Sequence, residues 1–241
     1  IAMTLLTYYY CKGNLTYAFT KLDIFIIVLI LAGGLFIGQF VSMAISPALM
    51  RKYETKKVYN LFSGLSAVAF ALLFVVYLIA PTDLSKIGFV VIDGILFFGT
   101  GMGFGGVNVC QSVMISDCID YEEYHNGYRP DGIFFSGQSF ITKFSAGISS
   151  IISGYVFDAV GYTDININKM NEAIANGANF ATDYTSYSKA MWFLISIPPA
   201  IGMLLAVIPT LKYEIDKKSH NKMLEELVKR HKQNNQGDTN G

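Results

Sequence analysis

Charge is what this chain has least of. Asp, Glu, Lys and Arg make up 15% of its 241 residues, against roughly 25% in ordinary soluble domains. Hydrophobic residues reach 52% and mean hydropathy is +0.41. The scarcity is uneven: the charges gather near residue 55, near residue 122 and in the C-terminal stretch, with apolar runs between them. Those runs have the ~20 residues a membrane helix needs. The composition therefore excludes a soluble domain and predicts an all-α integral membrane protein. Cysteine is also rare: Cys11, Cys110 and Cys118 fit no CxxC or metal-ligand spacing and read as isolated or buried thiols. His125, His220 and His231 are scattered. With no metal set and no Ser/His/Asp or Cys/His arrangement, neither an enzyme nor a metal or cofactor is expected. Lys plus Arg equals Asp plus Glu, 18 each, and no basic face with interleaved aromatics marks a nucleic-acid partner. No signal peptide precedes the first apolar run. That run begins at Ile1 without an initiator Met, so the chain is expected to be a piece of something longer.

Taken in order, residues 1–11 are too short to span and read as the end of a helix. Residues 12–23 are a polar link. Spans are predicted at 24–46, closed by Pro47, at 60–80, closed by Pro81, and at 87–113. The third contains GILFFGTGMGFGG; no strand precedes it and no Lys-Ser/Thr follows, so it is not a phosphate loop. It reads as small residues that let helix backbones approach closely in lipid. Asp93, six residues into that span, is expected at the interface, where a helix N-terminus favours an acid. An acidic loop is predicted over 114–132, a helix over 133–157, and a polar segment over 158–189 with a short helix near 169–175. The last span is expected at 190–211, kinked at Pro198-Pro199, followed by a charged tail, 212–241. Within the tail MLEELVKRHK has helical spacing and is expected on the membrane surface or on the protein. Arg51, Lys52, Lys56 and Lys57 and the cations of the tail place both segments in the cytoplasm. The 114–132 loop then lies inside as well, and 12–22, 81–86 and 158–189 lie outside.

Lys143 is the residue that points to function. At about 100° per residue, Gln138, Ser139, Thr142, Lys143, Ser145, Ala146, Ser149, Ser150 and Ser153 fill one half of their helix. Phe140, Ile141, Phe144, Ile148, Ile151, Ile152 and Tyr155 fill the other. Serines on such a helix also serve as plain packing glue. A lysine ~15 Å from either helix end can recover only part of its hydration by reaching toward an interface. Such a residue pairs with a structural carboxylate or belongs to a solute or ion path. Asp117 and Asp120, three apart, stand near Arg129, the only cation of the acidic loop. Carboxylates facing an arginine at a cytoplasmic helix end can lock one state of a two-state machine; as a solvated acidic loop they would contribute little.

These residues carry a resemblance. D-x-x-D-Y-x-E (Asp117, Asp120, Tyr121, Glu123), then Arg129, then Ser-x-Gln-Ser-x-x-x-Lys (Ser136 to Lys143), then Gly161-Tyr162, resemble the glycoside–pentoside–hexuronide:cation symporters, the melibiose permease group of the major facilitator fold. The weaker helix pattern extends the likeness over residues 1 to about 212. The resemblance implies a twelve-helix carrier of two six-helix halves, this chain being the C-terminal half (a partial helix at 1–11 and five spans). It implies a sugar taken up with Na+ or H+ across the cell membrane, the ion held mainly by carboxylates of the N-terminal half. On that pattern Lys143 lies between the sugar and ion sites, Gln138, Ser139 and Thr142 line the sugar cavity, and Asp117, Asp120 and Arg129 form a cytoplasmic gate. One position departs: the stacking tryptophan of melibiose-type relatives aligns with Asn108, so a galactoside preference does not carry over. The expected partners are the sugar, the coupling cation, the bilayer and the other half. A carrier of the same fold moving a lipid or organic anion is the competing reading.

Overall fold

The computed structural model describes residues 1–213 and 217–238, with the side-chain surroundings of 217, 218, 231 and 233–238 left aside. Residues 214–216 and 239–241 of the expected tail lie outside the described residues. The described regular structure is helical throughout. α1 (Ala2–Leu5) runs into a π-helical turn, Leu6–Tyr10, and α2 (Tyr17–Thr20) is a single turn. The long elements are α3 (Leu22–Lys52), α4 (Thr55–Ile79), α5 (Ile87–Asn126) and α6 (Asp131–Ala159). α7 (Asp164–Ala175) and the one-turn α8 (Phe180–Asp183) lead into α9 (Thr185–Leu205), which α10 (Val207–Thr210) extends; α11 (Lys217–Asp238) closes the chain. α3, α4, α5, α6 and the α9–α10 pair are each long and apolar enough to cross a membrane.

The spans are longer than the hydropathy runs, for identifiable reasons. Pro47 does not end α3, which continues to Lys52. In lipid a proline is tolerated where hydroxyls and neighbouring helices re-satisfy the backbone. The buried hydroxyls of Ser42 and Ser46 donate to the Gln39 and Ser42 carbonyls in that turn. Residues 114–126, expected in a loop, continue α5 for three more turns. α5 stops at Gly127, whose φ of +68° is the left-handed cap that suits glycine and whose N–H bonds the Glu123 carbonyl at 2.9 Å. α9 is helical through Pro198 and Pro199, and the break falls later, at Ala206. There Ser63 of α4 donates to the Met203 carbonyl at 2.5 Å, satisfying one of the last-turn acceptors.

The glycine run is a packing seam, as its spacing predicts. A Cβ added at Gly101 would collide with the Leu35 carbonyl of α3, and at Gly105 with the Gln39 carbonyl. On the facing helix, a Cβ at Gly34 would strike Gly94 and at Gly38 would strike Phe98. α3 and α5 thus meet backbone to backbone. Gly103 and Gly106 turn toward α4, against Ser66 and Phe62. At one end of the bundle an aromatic core joins α1, α4 and α9. Trp192, fully buried, stacks on Tyr77 (5.7 Å) and meets Tyr9 edge-on (6.2 Å).

Contacts between distant segments define two ends. Tyr9 donates to the Pro81 carbonyl (2.5 Å) and Tyr8 to Asn171 (2.9 Å), so the turns near 10 and 81 and the 158–189 segment share one end. Lys56 donates to the Tyr213 carbonyl (3.2 Å) and Tyr213 to Asp117 (2.8 Å), so the 53–57 turn, the foot of α5 and the start of the tail share the other.

Candidate functional site

Three carboxylates spaced by three residues, Asp117, Asp120 and Glu123, line one face of the extended α5. They are 9%, 8% and 7% exposed, too buried to stand as solvated surface charges. The turn that Gly127 makes possible brings Arg129 back beneath them. One guanidinium nitrogen, Nη1, donates to Asp120 (2.8 Å) and Glu123 (2.7 Å), while Nε donates to Asp131 (3.0 Å) in the first turn of α6. Arg129 is thereby clamped between the end of α5 and the start of α6. Its hydrogen bonds to Glu123 and Asp120 push its pKa up, so it stays cationic at any physiological pH. The second side of the acidic face is met by the tail. His220 Nε2 sits 3.1 Å from Asp120 and 3.6 Å from Asp117. Tyr213 donates to Asp117, and burial, followed by that carboxylate, pushes its phenol up, so it donates as a neutral hydroxyl.

The tail helix α11 therefore lies on the protein. Met223 and Leu227 are buried, and Arg230 donates to the Tyr124 carbonyl (2.9 Å) with its guanidinium over the Tyr124 ring (4.9 Å). Sequence reading named Asp117, Asp120 and Arg129 and quoted Glu123 in its motif. It missed Tyr213 and His220, which lie about a hundred residues away and carry no local signal. The three-residue spacing through Glu123 was the available clue to that side chain.

The residues expected around a solute path are only partly gathered. Gln138 and Thr142 line a cleft of about 400 Å³ between α5 and α6, together with Gln111, Ile115, Phe134 and Ile141. Gln111 had not been singled out, although it stands one turn after Asn108. Asn108, Ser139 and Lys143 are exposed and lie outside the lining of that cleft. Lys143 makes no hydrogen bond or ion pair to another described residue. No residue of α6 is buried: its apolar half, Phe140 at 67% and Phe144 at 59% exposed, is as open as its serine half. The helix is fastened at its ends, through Arg129 to Asp131 at the start and Tyr187 to the Gly161 carbonyl (3.0 Å) just past the finish. Asp93, expected at an interface, is 0% exposed, in the interior between α5 and the start of the chain. Among the described residues no group of His, Cys, Asp and Glu is arranged to hold a metal.

The sequence profile of one family, MFS/sugar transport protein, matches residues 2–217, nearly the whole chain. The chain belongs to that family. An isoprimeverose transporter of Lactiplantibacillus pentosus is 33% identical over 135 residues, 56% of this chain and 25% of the relative. The inner membrane symporter YicJ of Escherichia coli is 32% identical over 107 residues, 44% and 20% respectively. A lactose permease of Lactobacillus helveticus is 28% identical over 115 residues, 47% and 16%. The chain spans about a quarter of the length of the first of these. No solved structure matches it. With five apolar spans and this membership, the chain is a multi-pass membrane protein.

Proposed function

We propose that this chain is the C-terminal half of a sugar carrier that moves a glycoside, pentoside or hexuronide together with Na+ or H+ by alternating access. The observation that carries the reading is α6, a 29-residue helix of membrane length with no buried residue and a lysine at its centre. Lipid suits the apolar half of such a helix, but its serine half and Lys143 call for a polar partner or water. The missing length relative to the curated relatives supplies a candidate cover, the N-terminal half. Between the halves, near the midplane, is where such carriers place their solute. There Gln138, Ser139, Thr142, Lys143 and Asn108 offer donors and acceptors suited to sugar hydroxyls. Cation binding in the other half would alter the field at Lys143, which couples the two solutes. The halves meet over the Asp117, Asp120, Glu123 and Arg129 cluster at the cytoplasmic end, and rearrangement of the surfaces around it opens the path there. The bundle end holding Arg129, Lys56 and α11 is cytoplasmic in this reading, in keeping with its lysines and arginines.

Lys143→Ala in the full-length carrier tests the proposal. Ion-driven accumulation of the sugar is expected to fall at least tenfold while the protein still reaches the membrane; accumulation at the wild-type level overturns the assignment. A second reading, an anionic solute, is favoured by the ammonium of Lys143, which has no partner among the described residues. A relative from Salmonella typhimurium, 24% identical over 148 residues, also carries a sulfonated sugar, sulfoquinovose, in its name. A ligand stabilises the folded state by mass action. A thermal-shift comparison of neutral and acidic sugars on the full-length protein therefore separates the two: stabilisation by acidic sugars only favours the anion.

A further inference from the structure

Among the described residues, Asp93 is the buried acid that the gate and the sugar path do not use. It is 0% exposed, and both of its carboxyl oxygens lack a hydrogen-bond partner. A buried acid with a purely structural role has its oxygens satisfied. An isolated ionised carboxylate in an apolar interior costs far more than a protein's net stability, so such a group sheds its charge instead. The polar neighbour of the carboxyl is the hydroxyl of Tyr10, which faces it without reaching standard hydrogen-bond geometry and has no other partner. Tyr9 is the second phenol near it, and donates to Pro81. From α3 the site is walled by Ile30 and the Gly34–Gly94 contact, which bring no titratable group.

Tyr10 also has a wet side. With Tyr8, Tyr9, Lys12, Asp23 and Thr82 it lines a vestibule of about 580 Å³ at the end of the bundle opposite the Arg129 cluster. One tyrosine therefore borders both a buried acid and a cavity large enough for many waters. A hard metal cation bound there would need about six oxygen ligands; the described side chains facing the carboxyl offer the Tyr10 hydroxyl and little else. A proton needs one acceptor oxygen, and Asp93 supplies it.

We propose that Asp93 is a proton-binding site of this half of the carrier, filled from the vestibule when Tyr10 moves aside. A hydronium in the vestibule gives its proton to a carboxylate oxygen and remains as water; release is the reverse. When protonated, the carboxyl hydrogen bonds with Tyr10 and fastens the Leu6–Tyr10 turn to α5. When ionised, it pulls water in past Tyr10 and loosens that turn. A role in solute coupling rests on the symport reading above; the proton site itself does not.

Infrared spectroscopy of the full-length carrier in proteoliposomes tests this through the carbonyl stretch of a protonated carboxyl. Wild-type protein is expected to show a band that grows as the vestibule-side pH falls, is lost in Asp93→Asn, and shifts to higher wavenumber in Tyr10→Phe, where the hydroxyl partner is gone. Identical spectra for wild type and Asp93→Asn overturn the proposal, as does a band that stays in place in Tyr10→Phe. If Asp93→Asn fails to fold, wild type against Tyr10→Phe still decides, because that variant keeps the acid. A band that behaves as expected in a carrier driven by sodium gradients alone leaves the proton site standing and removes its coupling role.

Discussion

Arg129 shows how much one side chain can hold. It satisfies two nearly buried carboxylates and one first-turn acid at once, and the fork geometry of guanidinium allows this where an ammonium could not. Arg129→Ala removes the guanidinium donors of Asp120 and Glu123 and leaves Asp120 its contact with His220. Losing a hydrogen bond to a charged group costs about 1.5–3 kcal/mol, enough to shift the proposed gate toward open. Half-buried Cys118, next to Asp117 on the same helix, reports the change. Its alkylation from the cytoplasmic side is expected to rise severalfold in Arg129→Ala and to be intermediate in Arg129→Lys, which keeps the charge and loses the fork. Unchanged reactivity in both variants would remove the gate assignment. At this scale the sequence spoke unevenly. The Asp117–Asp120 spacing and Arg129 were legible because they lie within thirteen residues of one another. His220 and Tyr213 were not, because chain distance hides contacts that only folding makes.

Among the elements, the seam between α3 and α5 is the most constrained. Overpacking a well-filled contact typically costs about 1–3 kcal/mol. Here the obstacle is carbonyl backbone that cannot rotate away. Gly101→Leu is therefore expected to lower the thermal midpoint in detergent by several degrees. Gly88→Leu, at the exposed start of α5 where an added Cβ meets nothing within 4 Å, should leave it unchanged. Equal midpoints for the two variants would contradict the seam. This element was readable from alternating glycines alone, since only close backbone approach explains so many small residues in an apolar run. The ends of elements were less legible. Pro47 and the acidic run 114–126 both look like terminators, and both are carried through: by buried hydroxyls of the same turn in one case, by Arg129 and the tail in the other. For α6 the periodicity gave a polar and an apolar half, and neither is covered within the described residues.

For the whole molecule the expectation concerns sidedness. The 53–57 turn, the Arg129 cluster and α11 share one end; the vestibule, the turn at 81 and α7 share the other. In a cysteine-free background, Ile165→Cys should react with a membrane-impermeant thiol reagent on intact cells, whereas Tyr128→Cys should react only after permeabilisation. Both residues are exposed, so burial does not confound the comparison, and labelling of both from the same side would refute the two-ended arrangement.

A last consequence follows from the length of α5, 40 residues or about 60 Å. The helix is welded to α3 from Gly94 to Gly105, in the half that begins beside Asp93, and it carries the acid–arginine knot at the far tip. A stiff rod of this kind needs no relay of side chains to carry a signal. A small rock about the glycine weld is carried to the far tip, multiplied by the roughly 30 Å of helix beyond Gly105.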